Sequence, residues 1–280
     1  MNKALAIFEL MRLDKPIGIY LLLWPALLAL VISTNGDFEY ADLLIVTIGS
    51  ILVRSAGCVI NDIWDKDLDG RVERTKTRPI PSKKLSMSES WAIFVALGFL
   101  SLMLLSLTNA NTIFTSFCFG LMIVLYPLTK RFFIGPQIFL GLTFNPTIIV
   151  YAMTNELNNP TMIFLYLAIA AKTIAFDSFY GLCDMKDDKK LGINSTPLWW
   201  GSKTLLIIAI LQFAVISFLL IVGLKAELSS AWYIGIILLS GFYFYQHRLA
   251  SQKNFLLAFK NNHWASLYLL ILSVFCFLII

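Results

Sequence analysis

Asn61 to Pro79 reads NDIWDKDLDGRVERTKTRP, a dense block of charge set between two long apolar runs. Asp62, Asp65, Asp67 and Asp69 come first, and the cations Arg71, Arg74, Lys76 and Arg78 follow. Asp62, Asp65 and Asp69 stand at i, i+3 and i+7, a spacing that places them on one face of a helix. Like charges stacked in this way repel and want a counter-ion. Three hard oxygen ligands suit Mg2+, which prefers carboxylates, water and phosphate oxygens. The plain alternative is a solvated charged loop at a membrane surface, and a second block far down the chain decides between the two.

Composition says what surrounds the block. Of the 280 residues 58% are hydrophobic and 14% charged, with a mean hydropathy of +0.77, whereas a soluble domain carries about 25% charged residues. The chain reads as a single polytopic membrane domain spanning residues 1–280, all α-helical. The first apolar run follows Lys15-Pro16 and is too long for a cleavable leader. Cys58, Cys118, Cys183 and Cys276 are widely spaced with no Cys-x-x-Cys pair, which argues against a disulfide framework or a zinc site.

Nine apolar stretches approach the length that crosses a bilayer, about 20 residues. They lie near 17–34, 41–60, 90–108, 111–128, 132–153, 160–177, 202–223, 230–247 and 263–280. The cations then segregate. Of 22 Lys and Arg residues only Lys225 falls in a loop on the opposite side. By the positive-inside rule the N-terminus is cytoplasmic and, with nine spans, the C-terminus is outside. The two charged loops, near 61–90 and 177–201, then both face the cytoplasm.

Phe8 to Lys15 reads as an amphipathic lead-in lying at the cytoplasmic interface, and Pro16 opens the first span where its missing N–H costs nothing. Arg54 sits inside the second span, seven residues before Asn61. A charge there is costly, by about 2.5–3.5 kcal/mol, and faces a cavity or a partner. Either Asp62 or Asp65 could pair with it, or its guanidinium could grip an anionic carboxylate bidentately. The fourth span ends in Tyr126-Pro127-Leu128-Thr129-Lys130-Arg131, where Lys130 is a candidate phosphate ligand and Arg131 an interfacial anchor. Gly135-Pro136, Gly141 and Asn145-Pro146 suggest close packing or a widened cavity in the fifth.

The second block is AFDSFYGLCDMKDDKKLGINSTP, from Ala175 to Pro197. Asp177, Tyr180 or Gly181, Asp184 and Asp188 again share one helical face, with Asp187 alongside. Two acidic faces, each trailed by cations, thus emerge on the same side of the membrane. Opposed carboxylates bridging Mg2+ to a diphosphate are what ionisation of an allylic diphosphate requires. Metals and arginines take up the charge that develops on the leaving group, and apolar or aromatic walls tolerate the carbocation. The last three spans read as wall or as lining for a long lipid tail, and neither His247 nor His263 is assigned a role.

These residues resemble the UbiA superfamily of intramembrane prenyltransferases. The first block fits its NDxxDxxxD pattern followed by RTxxRP (Arg74-Thr75 and Arg78-Pro79), and the second is similar to its YDTxYAxxDxxDD. LDKPIGIYLLLWP (Leu13 to Pro25), RSAGCVIND (Arg54 to Asp62) and GINST (Gly192 to Thr196) are most like the branch that prenylates 4-hydroxybenzoate in ubiquinone synthesis. The resemblance runs from about residue 10 to 204. It implies nine helices around a central cavity, and transfer of a polyprenyl group from polyprenyl diphosphate to 4-hydroxybenzoate, ortho to the hydroxyl. Asp62, Asp65, Asp69, Asp177 and Asp184 would then handle Mg2+ and diphosphate, with Asp188 and Asn61 supporting them. Arg74, Arg78 and Lys130 would bind the diphosphate and Arg54 the acceptor's carboxylate, with Tyr126 and Tyr180 lining the substrate site. Phe176, Ser178 and Gly181 depart from the usual Tyr, Thr and Ala, and Lys172 stands where Trp is common, so the acceptor pocket is where this chain differs.

Two other readings compete. One is the same reaction on another aromatic acceptor. The other is a cation-coupled transporter using intramembrane carboxylates, which the missing two-half repeat and the one-sided acids disfavour. Membrane lipid is an expected partner and nucleic acid is not. A bacterial inner membrane, crossed many times, is the expected location.

Overall fold

The computed structural model describes residues 3–70 and 75–278, and among these every regular element is helical. The chain opens with α1 (Lys3–Leu10), α2 (Ile17–Ser33), α3 (Tyr40–Trp64) and the single turn α4 (Lys66–Asp69). α5 (Met87–Leu105), α6 (Ala110–Thr129), α7 (Pro136–Thr143) and α8 (Thr147–Met153) follow. α9 (Thr161–Leu191), α10 (Thr196–Trp200), α11 (Thr204–Lys225), α12 (Ser230–Ser251) and α13 (Phe255–Leu278) complete the order. Among the described residues six helical stretches are long and apolar enough to cross a membrane: α3, α5, α6, α9, Thr196–Lys225 and α13. Large apolar side chains such as Phe99, Phe114, Phe213 and Phe244 stay exposed on the outside of the bundle, which suits a lipid solvent.

α9 is the axis of the bundle and packs against α2, α7, α8, α11 and α13. It reaches Leu191, well past the expected end of the sixth span, so all the acids of the second block lie on one continuous helix. Gly192 ends it in the left-handed conformation at φ 66°, with the amide of Ile193 returning to the Asp188 carbonyl at 3.0 Å. At Gly141 of α7 an added Cβ would stand 2.5 Å from Ile174 Cγ1 and 2.8 Å from the Ala170 carbonyl oxygen. A side chain there would push α7 off α9.

The expected fifth span is not one helix. It breaks at Phe144-Asn145-Pro146 into α7 and α8, because Pro146 cannot donate to the turn before it. Side chains take up backbone groups near the break. Asn145 is buried and donates to the Tyr166 carbonyl at 2.8 Å, and the Tyr166 hydroxyl donates to the Leu142 carbonyl at 3.0 Å. The half-buried Phe144 ring at the break lies beside the Arg54 guanidinium of α3.

The last three helices carry more polar structure than plain wall. Gln212 of α11 donates to Gln246 of α12 at 2.8 Å, and Gln246 donates to Asn261 of α13 at 3.0 Å. His247 Nε2 lies 2.9 Å from Gln212 Oε1, so the His donates and its Nε2 tautomer is selected. Trp24 Nε1 of α2 donates to His263 Nδ1 at 2.8 Å. Both histidines thus tie helices together, and α13 begins at Phe255, eight residues before the expected span.

The lead-in is docked on the bundle. Ala6 and Leu10 of α1 are buried against Val59, Ile63, Ile80 and Leu85. Lys84 Nζ to Glu9 at 3.0 Å and Lys3 Nζ to Glu89 at 2.6 Å stitch it to the segment that follows the first acidic block.

Candidate functional site

Both acidic blocks face one chamber of about 200 Å3. Asn61, Asp65, Asp69 and Arg78 line it from the first block, and Asp177, Tyr180, Gly181, Asp184, Asp187 and Asp188 from α9. Tyr126 and Lys130 enter from the end of α6, Gln137 from α7, and Asn194 and Ser195 from the loop after α9. That loop is pinned. The Thr196 amide donates to Gln137 Oε1 at 2.8 Å, and the Asn194 amide donates to the Lys130 carbonyl at 3.0 Å. Arg74 lies outside the described residues.

The first block does not form one continuous helical face. α3 stops at Trp64, Asp65 turns the chain at φ −96° and ψ 5°, and α4 carries Asp69. The bend turns Asp65 and Asp69 to the chamber and leaves Asp62 behind it, 1% exposed. Arg131 donates to the Trp64 carbonyl at 2.7 Å, which supplies one of the acceptors' missing partners at the end of α3. The second block keeps its single face because α9 is unbroken.

Three carboxylates of the first block, Asp62, Asp65 and Asp69, meet cations. Arg12 holds both oxygens of Asp62 at 2.8 Å, Arg78 bridges Asp62 at 3.1 Å and Asp69 at 2.7 Å, and Lys130 Nζ sits on Asp65 Oδ2. Burial opposes the charge on Arg78, but the carboxylates of Asp62 and Asp69 outweigh it and raise its pKa further. Burial pushes the Asp65 carboxyl up, with Lys130 pulling the other way. Nothing in the spacing of the chain pointed to Arg12, which is 50 positions from Asp62. Gln137 was missed for the same reason.

Arg54 pairs with neither Asp62 nor Asp65. Its guanidinium lies 5.3 Å from the centre of the Phe144 ring, and its Nε is buried without a hydrogen bond. Gly18 of α2 makes the room, since a Cβ there would fall 2.5 Å from Arg54 Nε. Lys172 is away from the chamber. It is buried, with Nζ on Ser266 Oγ and 3.4 Å from the Asn262 carbonyl.

Among the described residues no three His, Cys, Asp or Glu side chains are gathered closely enough to hold a metal ion. The donor set nevertheless fits a hard cation. Its ligand atoms are carboxylate oxygens, and Asp65 Oδ1 is buried in the chamber wall with no hydrogen-bond partner. A buried carboxylate oxygen left orphaned asks for an ion or a donor.

Helices of this length and a chamber lined by carboxylates and cations define an integral membrane protein with an ionic site. Residues 22–268 match the model of the UbiA prenyltransferase family, and the chain belongs to that family. It is 40% identical over 263 residues to a 4-hydroxybenzoate octaprenyltransferase of Pseudomonas aeruginosa (strain LESB58), covering 92% of this chain and 89% of that one. A 4-hydroxybenzoate octaprenyltransferase of Vibrio campbellii is 39% identical over 276 residues, 96% of each chain. In fold it is similar to a UbiA homolog from Aeropyrum pernix K1, with TM-score 0.80, 21% identity and coverage of 90% of this chain and 94% of that chain. A UbiA homolog from Archaeoglobus fulgidus bound to GPP and Mg2+ gives TM-score 0.76 at 18% identity, covering 98% of this chain and 100% of that chain.

Proposed function

We propose that the protein transfers a polyprenyl group from polyprenyl diphosphate to the ring carbon ortho to the hydroxyl of 4-hydroxybenzoate, releasing diphosphate. The observation that carries this reading is one chamber faced by two blocks whose acids lie more than a hundred residues apart in sequence. The identity to relatives named 4-hydroxybenzoate octaprenyltransferase supports the choice of acceptor.

In this reading Asp65, Asp69, Asp177 and Asp184 would hold Mg2+ from the chamber wall with Asn61 and Asp188 beside them, and Asp62, behind that wall, would join them on release from Arg12. Bound there, Mg2+ supplies Lewis-acid neutralisation of the diphosphate. Arg78, Lys130 and Arg74 bind the diphosphate oxygens and take up charge as the allylic C–O bond breaks with its electron pair on the leaving group. Tyr126 and Tyr180 wall the chamber and keep water from the cation. Arg54 holds the acceptor's carboxylate, in line with its unpartnered Nε. The ring carbon then bonds to the allylic carbon, and loss of its proton restores aromaticity.

The chain is read as one domain, 1–280, with nine spans made by α2, α3, α5, α6, α7 with α8, α9, α11, α12 and α13. The distribution of cations supports a cytoplasmic N-terminus, an outside C-terminus and a site opening to the cytoplasm from the inner membrane. The deciding assay uses purified protein in lipid with Mg2+, a polyprenyl diphosphate and radiolabelled 4-hydroxybenzoate. Label should move into the organic phase, and stay behind when Mg2+ is chelated. Diphosphate release only with a different aromatic acid would move the assignment to that acceptor, and no release with any acceptor would overturn the reaction.

A further inference from the structure

Arg12 stands outside every motif that pointed to the site, yet it makes the most complete contact in it. Its guanidinium reaches both oxygens of Asp62 at 2.8 Å, and that carboxylate is 1% exposed. With Arg78 on Asp62 and Asp69, and Lys130 on Asp65, three carboxylates are matched by three cations. We propose that Arg12 is a placeholder cation at Asp62, so that the first acidic block admits a divalent ion only in company with a diphosphate. This rests on reading the chamber as a metal–diphosphate site.

The backbone supports a dedicated role for the side chain. Arg12 sits just past the end of α1 with φ 58°, a left-handed position that favours glycine. What arginine adds there is its Nη2 group, set between both oxygens of Asp62. That group is also delivered with little freedom. Ala6 and Leu10 anchor α1 in an apolar seat, the Glu9–Lys84 and Lys3–Glu89 pairs flank it, and Arg12 donates back to the Glu9 carbonyl at 2.9 Å.

Charge then sets the order of binding. A divalent ion entering alone can meet the acids of α9, but it reaches Asp62 only by displacing a guanidinium that is then left without an acceptor in a buried place. A diphosphate arriving with it offers the displaced guanidinium a new set of oxygens. Arg12 is therefore a positioning residue that ties ion uptake to substrate and links the seat of α1 to occupancy of the site.

The test needs no turnover. Mn2+ serves as the spectroscopic probe, titrated into full-length protein in lipid nanodiscs with and without inorganic diphosphate. In the unsubstituted protein inorganic diphosphate should tighten Mn2+ binding about tenfold or more. Arg12→Gln should bind Mn2+ alone about tenfold more tightly and lose most of the diphosphate enhancement, while Arg12→Lys, which keeps the charge, stays near the unsubstituted protein. The gain should vanish in Arg12→Gln combined with Asp62→Asn. Equal Mn2+ affinity in Arg12→Gln and the unsubstituted protein, with only a lowered melting temperature, would reduce Arg12 to a structural staple. Absence of any diphosphate enhancement in the unsubstituted protein overturns the proposal without a variant. A parallel transfer assay on the unsubstituted protein separates that outcome from failure of the prenyltransferase reading itself.

Discussion

Asp65 keeps one carboxylate oxygen without a hydrogen bond while Lys130 holds the other, and Asp177 faces it from α9 across the same chamber. Substituting either acid by Asn preserves shape and removes charge. Asp65→Asn and Asp177→Asn should each lower kcat for diphosphate release by about 100-fold or more, the range for removing one preorganised charge-stabilising group. Turnover within threefold of the parent protein would remove that residue from the metal set. Arg54 permits a cleaner separation. Gly18→Ala would place a methyl group against the far end of the Arg54 side chain, which is flexible and can move without disturbing the helices. The Michaelis constant for 4-hydroxybenzoate should then rise about tenfold, equal to roughly 1.4 kcal/mol, while that for the prenyl diphosphate holds steady. Equal changes in both constants would mean that Arg54 does not discriminate the acceptor.

At the scale of elements, stability rests on close approach and on polar ties between helices. Gly141→Leu has to displace Ile174 and the backbone of Ala170, and should destabilise the protein by about 1–3 kcal/mol, the usual cost of overpacking. Thermal unfolding in detergent measures it. Gln246→Leu removes the link between Gln212 and Asn261 and leaves buried amide groups unsatisfied, at a cost of about 1–2 kcal/mol. This change lies away from the chamber, so melting temperature should fall while both Michaelis constants stay put. The helix break at Phe144-Asn145-Pro146 was visible as a proline signal. Its consequence, a ring set against Arg54, was not, because a kink's direction depends on what the freed carbonyls and side chains find in neighbouring helices.

For the whole molecule, the positive-inside pattern predicts that the loops after α4 and after α8 lie on opposite sides of the membrane. Ser82→Cys and Asn158→Cys report on those two loops, in a background where the exposed Cys118 and Cys183 are changed to Ser. In sealed inverted vesicles a membrane-impermeant maleimide should label Ser82→Cys and spare Asn158→Cys. Labelling of both from one side would break the nine-span reading.

The sequence by itself determined the membrane character, the helical class, the family and the two acidic blocks, because hydropathy and short-range spacing are local properties of the chain. It also placed Asp177, Tyr180, Asp184 and Asp188 together, since a single unbroken helix preserves its own periodicity. The same rule failed at the first block, where the chain turns at Asp65 and Asp62 lies outside the chamber lining, against Arg12. Only the tertiary structure decided that pairing, the seat of α1 and the isolation of Lys172 from the chamber. Each depends on which distant segments are pressed together when apolar surfaces pack, and a buried charge then takes whichever counter-charge that packing brings within reach.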